Sequence, residues 1–275
     1  MDNTLVNDIA KLAVSSKAIR TAGANGNSFI THHKDFKITD LDDLAAMPAR
    51  SKYSISVSDV PSFKKLCASL TVDTPVIFSD FDKDRISAYT EFHTATGASH
   101  CEKTIHYQLE NTLEYKRLRR ITETGQDFTQ KEFHDFIEDN SALFNDPNEL
   151  EMLAIAKSFT IKQGEHLDSS IDPQSGNIKI AYSKDHAGTY KTGNITLPNS
   201  IMLNVQPYKG HEVFNVKARF KIRLRNGYGV IGLDIPNLDR LEEEAFNLVC
   251  AKIEKELSVK PINLSSVASS KFQSN

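Results

Sequence analysis

The chain has 275 residues, 39% hydrophobic and 25% charged, enough to bury a core in one large domain or two modest ones. A formal charge of −3 removes any global electrostatic argument for nucleic acid, so a polyanion site has to come from local clustering. The three cysteines (Cys67, Cys101, Cys250) are too widely spaced for a disulfide framework, the N-terminus lacks the basic start of a secretion signal, and no window nears the roughly 20 apolar residues that span a bilayer. These features predict a cytoplasmic protein without a membrane segment.

Leu5, Ile9 and Leu12 lie at helical spacing, which predicts an amphipathic helix over the first twenty residues. The stretch AGANGNS (22–28) reads as a loop. Tyr53, Ile55 and Val57 alternate as a strand, and Asp59 with Pro61 opens a helix carrying Phe63, Leu66 and Leu70. Strands PVIFSD (75–80) and RISAYTEFH (85–93) are joined by a turn at Asp82–Asp84. Thr129, three residues before Glu132, predicts a capping box for a helix that buries Phe133, Phe136 and Ile137. A second helix runs over 148–159.

From Gly176 onward the pattern has period two, in NIKIAYS, NITLP, IMLNV and then VKARFKIRLR, which predicts an antiparallel meander. With Asn226–Gly227 as a two-residue turn, Arg225 faces Tyr228, Ile222 faces Ile231, Phe220 faces Leu233 and Ala218 faces Ile235. Arg219 then lies opposite Asp234, which is expected to neutralise part of its charge. After Pro236 a long helix carries Leu238, Leu241, Ala245, Leu248 and Val249, with an acidic exposed side at Glu242, Glu243, Glu254 and Glu256. The expected class is α+β, an antiparallel meander with a long C-terminal helix beside a mixed N-terminal half. The expected regions are 1–125 (mixed), 126–165 (helical), 166–262 (sheet plus helix) and 263–275 (flexible tail).

No catalytic residues, metal ligands or cofactor motif emerge. Asp80, Asp82, Asp84 and Glu91 mimic the spacing of a calcium loop, but Arg85 stands where the sharp turn needs Gly. His93, His100, Cys101 and His106 are metal-ligand types close together, yet no second pair completes a tetrahedral set, so they read as structural. AGANGNS lacks the Gly-Lys-Ser/Thr ending of a phosphate loop.

The basic segments are what remains. Lys116, Arg117, Arg119 and Arg120 form one cluster; Lys217, Arg219, Lys221, Arg223 and Arg225 form another along a strand. Together they outline a positive groove for a polyanion, with Tyr228 as the base-stacking candidate. The competing reading is a solvated strand face, or one that meets the acidic helix of a neighbouring subunit.

The ordered set Phe92-His93, His100, Leu113-Glu114-Tyr115, Gln130-x-x-Phe133-x-x-Phe136-Ile137-Glu138-x-Asn140, Leu197-Pro198, Ala218–Arg223 with Gly227, and Ala245-Phe246 resembles the YfdQ-like family of tailed-phage and prophage proteins. The resemblance covers roughly residues 20–260. The chain departs from the family pattern in having no tryptophan. The resemblance implies phage origin and an accessory gene in a bacterial host, often found among DNA-metabolism genes, and it carries over no catalytic residues. The expected function is therefore a non-enzymatic accessory protein that self-associates and binds nucleic acid or a host protein that handles it. The alternatives are a self-assembling structural phage protein and a metal-dependent nucleotide-processing enzyme resting on the histidines.

Overall fold

The computed structural model describes residues 7–9, 11, 19–22, 27–30, 51–71, 74–158, 166–171, 178–186, 189–198, 200–225 and 228–264. The chain divides into two units, Met1–Ser51 and Lys52–Asn275. In the first, residues 7–9 and 11 are helical; Ile19 and Arg20, the end of the expected N-terminal helix, are strand instead, and its other residues lie outside the described ones. Strands β1 (Ile19–Ala22) and β2 (Asn27–Ile30) pair antiparallel, with Ile19 opposite Ile30. The ends of AGANGNS are therefore strand rather than loop. Ile19, Thr21, Phe29 and Ile30 supply the β-branched and aromatic residues that favour pairing, which the Gly/Asn-rich composition between them hides.

The second unit is α+β and contains two five-stranded sheets, each with its own core. One sheet is built from β3 (Tyr53–Val57), β4 (Val76–Asp80), β5 (Arg85–Tyr89), β6 (Lys103–Gln108) and β15 (Ile262–Asn263), in the order β15-β4-β5-β6-β3. Pairs β4–β5 and β5–β6 are antiparallel, whereas β3 runs parallel to β6 and β15 parallel to β4. Helix α1 (Val60–Leu70) packs on this sheet through Val60, Phe63 and Cys67; the Asp59 carboxylate accepts the Ser62 N–H and caps it as expected. A β-strand at Ile262–Asn263, held also by the Leu264 N–H donating to the Ser79 carbonyl, moves the start of any tail past Leu264.

The other sheet contains β7 (Asp127–Phe128), β8 (Phe144–Asp146), β12 (Ile201–Val205), β13 (Phe214–Arg225) and β14 (Tyr228–Asp234), all antiparallel in the order β7-β14-β13-β12-β8. Helices α2 (Leu113–Thr124), α3 (Gln130–Asp139) and α4 (Glu149–Ser158) cover its apolar face, where Tyr115, Leu118, Phe133, Ile137 and Met152 meet Phe220, Ile231 and Leu233. The expected meander is split. Strands β9 (His166–Ile171), β10 (Ile178–His186) and β11 (Thr189–Leu197) form a separate three-stranded antiparallel sheet, and only β12–β13–β14 continue the run in the larger one. Period two identifies strands but says nothing about which sheet each one joins.

Helix α5 (Leu238–Leu257) belongs to both cores. Leu238 and Leu241 pack with the β13–β14 sheet, while Ala245, Phe246, Val249 and Ile253 pack with the β4–β6 sheet. Two expectations for this helix change: Leu248 is 42% exposed, and Glu242 is buried at 5%.

Candidate functional site

The hairpin register on which the basic strand depends is the one expected from Arg225–Tyr228 through Ile222–Ile231 and Phe220–Leu233 to Arg219–Asp234. It stops there, where β14 ends at Asp234, so the expected Ala218–Ile235 pair does not form; on the other edge of β13 Ala218 pairs with Ile201 of β12. Ala218, Phe220 and Ile222 face the core, and Lys217, Arg219, Lys221, Arg223 and Arg225 are exposed on the opposite face. Residues 226–227 and the Tyr228 side chain lie outside the described residues, so the turn type and the stacking role stand where the sequence left them.

The ion pairs on this face differ from the expected one. Asp234 is registered opposite Arg219 but holds Lys221, with Nζ 2.9 Å from Oδ1. Arg223 reaches across β14 to Asp127 on β7, where Nη1 donates to Oδ1 at 3.1 Å and Oδ2 at 3.4 Å. Gly232 makes that reach possible. It lies between Lys221 and Asp127 in the ladder, and a β-carbon there would sit 2.9 Å from Asp127 Oδ1. Lys221 and Arg223 are therefore neutralised, while Lys217, Arg219 and Arg225 have no acidic partner among the described residues.

Lys116, Arg117, Arg119 and Arg120 are not part of this face. They lie on α2, whose Tyr115, Leu118 and Ile121 pack against the apolar side of the sheet that carries the strand cations on its other side. The two clusters form no common groove. Two of the α2 cations are also in structural use. Arg117 Nη1 donates to Asn140 Oδ1 at 2.7 Å and to the Asp139 carbonyl at 3.4 Å. Arg119 donates from Nε to Glu123 Oε1 at 2.8 Å and from Nη1 to Glu242 Oε2 at 3.1 Å.

Glu242 is the functional-type residue that the sequence reading misplaced. Its Oε1 accepts from Asn111 Nδ2 at 3.0 Å, and the Tyr115 hydroxyl lies against it; burial and then the Glu242 charge push that phenol up. Tyr208, which bridges to Asn111, donates its hydroxyl to Asp84 Oδ1 at 2.6 Å, and burial raises the Asp84 carboxyl against that hydrogen bond. A signal existed for Glu242: positions 238, 242, 245, 249 and 253 form one helical stripe, and Glu242 is the only polar residue on it.

The remaining constellations resolve into local contacts. Asp80 caps the short 3-10 turn at 81–83 and pairs with Lys83, Asp84 takes the Tyr208 hydroxyl, and Glu91 pairs with Lys103 at 2.9 Å, so the calcium-like spacing is spent elsewhere. His106 Nδ1 is 2.8 Å from the Ser87 hydroxyl. His93 Nδ1 accepts the Ser99 N–H at 3.0 Å, and its Nε2 lies 3.6 Å from Cys101 Sγ. Burial pushes the Cys67 and Cys250 thiols up to about 11, so neither is a thiolate at neutral pH. Among the described residues the one group with ligand atoms close enough for a metal is His134, Asp135 and Glu138, on the solvent side of α3. No described helix is long and apolar enough to cross a membrane.

No curated protein and no solved structure matches the chain. A family model does, over residues 2–262, and the chain belongs to that family, the uncharacterized conserved proteins DUF2303.

Proposed function

We propose that the protein is a phage- or prophage-encoded accessory factor of the bacterial cytoplasm that self-associates and binds nucleic acid, or a host protein that handles it, without catalysing a reaction. The carrying observation is the outer face of β13. Five cations lie in one row, and Lys217, Arg219 and Arg225 have no acidic partner among the described residues while Lys221 and Arg223 are anchored by Asp234 and Asp127. A phosphate backbone fits such a row because it needs regularly spaced positive charge and little shape. The resemblance to the YfdQ-like family supports the phage setting.

The test is fluorescence anisotropy of labelled single- and double-stranded DNA across a salt series. Each phosphate contact contributes about −0.9 to the log–log slope on duplex and about −0.7 on single strands. Replacing Lys217, Arg219 and Arg225 together by Ala is expected to flatten the slope by about 2 to 3 and to weaken binding at low salt. Undetectable binding at low salt, or a slope that the triple replacement leaves unchanged, sinks the reading. In the competing reading, where a basic strand meets an acidic helix of a neighbour, Glu243 and Glu254 are exposed and would carry the contact, while Glu242 is buried and Glu256 is paired with Lys64 at 2.6 Å.

A further inference from the structure

Helices α2 and α3 enclose a groove of about 400 Å³ with opposed charge on its two walls: Arg120 on the α2 side, Asp135 and Asp139 on the α3 side, above a floor of Ile121, Phe128 and Phe136. At one end the bond from Arg117 to Asn140 ties the walls together. Elsewhere the charges face each other without meeting. Among the described residues Arg120 has no acidic partner, the Asp139 carboxylate has no cationic one, and Asp135 has only His134, with Nδ1 3.9 Å from its Oδ1.

A small-molecule site orients its ligand with a few buried, converging polar groups. Here the charged groups are exposed. The one buried polar side chain, Asn140, is engaged at both ends of its amide: Oδ1 accepts from Arg117 and Nδ2 donates to the Phe136 carbonyl at 2.7 Å. The lining therefore suits a macromolecular surface, and its bipolar charge selects which one. A two-fold axis lying in the plane of contact and running along the groove lays the cationic wall of one copy over the acidic wall of the other, so the surface is complementary to itself. Leu113, 64% exposed and on the same helical stripe as Arg117 and Arg120, adds apolar area to the contact.

We propose that a second copy of this chain docks here, α2 against α3 in both directions, as a two-fold dimer. This deepens the self-association part of the function proposed above and is independent of the polyanion part. It also gives the α2 cations a use that the strand face does not provide.

Sedimentation velocity of the full chain at low and high salt tests it. The wild type is expected to dimerise, more weakly as salt rises. Arg120→Glu makes both walls acidic, and Asp139→Lys adds a cation to the acidic wall; each is expected to raise the dimer dissociation constant by about tenfold or more. Asp135→Lys is a second variant of the same sense, and circular dichroism checks that all three stay folded. An equimolar mixture of the Arg120→Glu and Asp139→Lys chains is expected to regain the dimer, because acidic walls then meet basic ones. A monomeric wild type, variants that associate like the wild type, or a mixture no better than its parts overturns the proposal. The triple Ala variant of the β13 cations separates the two ideas. If it dimerises normally and the wild type ignores DNA, the polyanion reading alone has failed; DNA binding by a monomeric wild type means the dimer alone has failed.

Discussion

A carboxylate at position 242 occupies the seam where α5 passes from one core to the other, and it is nearly out of contact with water. Two donors converge on it, the Asn111 amide and the Arg119 guanidinium, while the Tyr115 hydroxyl beside it donates to the Leu238 carbonyl at 3.4 Å. Removing one partner of a buried charged cluster costs about 3 to 5 kcal/mol, because the groups left behind have given up their water without recovering a bond. Glu242→Ala removes the acceptor that Asn111 and Arg119 share, leaving the Asn111 amide with the longer bond to the Pro207 carbonyl at 3.4 Å, and is expected to cost about 3 kcal/mol. Arg119→Ala is expected to cost less: its side chain is 45% exposed, and water can replace it at the carboxylate. Urea denaturation of the two variants checks the order. A Glu242→Ala loss below about 1 kcal/mol, or a larger loss at Arg119, would show that the cluster is solvated rather than sealed.

Helix α3 shows why some of the architecture is legible from the chain. Its start is written in adjacent residues: the Glu132 N–H donates to Thr129 Oγ1 at 3.3 Å, and the Thr129 N–H donates back to Glu132 Oε2 at 2.8 Å. Thr129→Ala is expected to cost about 1 kcal/mol. Because the two bonds are reciprocal, adding Glu132→Ala costs less than its effect on the wild type. Strictly additive losses in thermal or urea unfolding would contradict a cooperative box. The β13–β14 register was legible for the same reason, since a one-residue slip would have moved Phe220, Ile222, Ile231 and Leu233 to the wet face. Long-range pairings were not. Nothing local says that Ile262–Asn263 returns to lie beside β4, that β9–β11 leave the meander, or that α2 falls on the apolar side of the sheet. The site followed the same rule: the row of strand cations was visible, but the Asp127 partner of Arg223 depended on β7 joining the sheet beyond β14 and on a glycine at 232.

Two partly buried histidines, one on β6 and one in the segment that follows β12, make acid a probe of the second unit. His106 lies on β6, and burial, then the nearby Arg85 charge, lowers its pKa. His211 follows β12 in the chain and ties that connection to β6, its Nε2 2.6 Å from the Tyr107 hydroxyl; burial and then Lys252 lower it, against an opposing pull from Glu212. In the unfolded chain both imidazoles take up protons near the ordinary histidine value of about 6.5, while in the fold they stay neutral to lower pH. The unfolded state then binds more protons, so stability is level above that value and falls as pH drops below it, until the folded pKa values are reached. Two such groups give a slope of at most about 2.7 kcal/mol per pH unit. Asp84 has the opposite sign, since its raised carboxyl favours the protonated fold, but it acts nearer the carboxylate range. Urea midpoints measured between about pH 5 and pH 8 are therefore expected to be flat in the upper half and to fall in the lower. His211→Gln is expected to make the fall shallower while lowering the plateau, because the Tyr107 hydroxyl loses its tight partner. A midpoint that rises on acidification through the histidine range would mean that these imidazoles are charged in the fold, and that the junction between the sheets is wet.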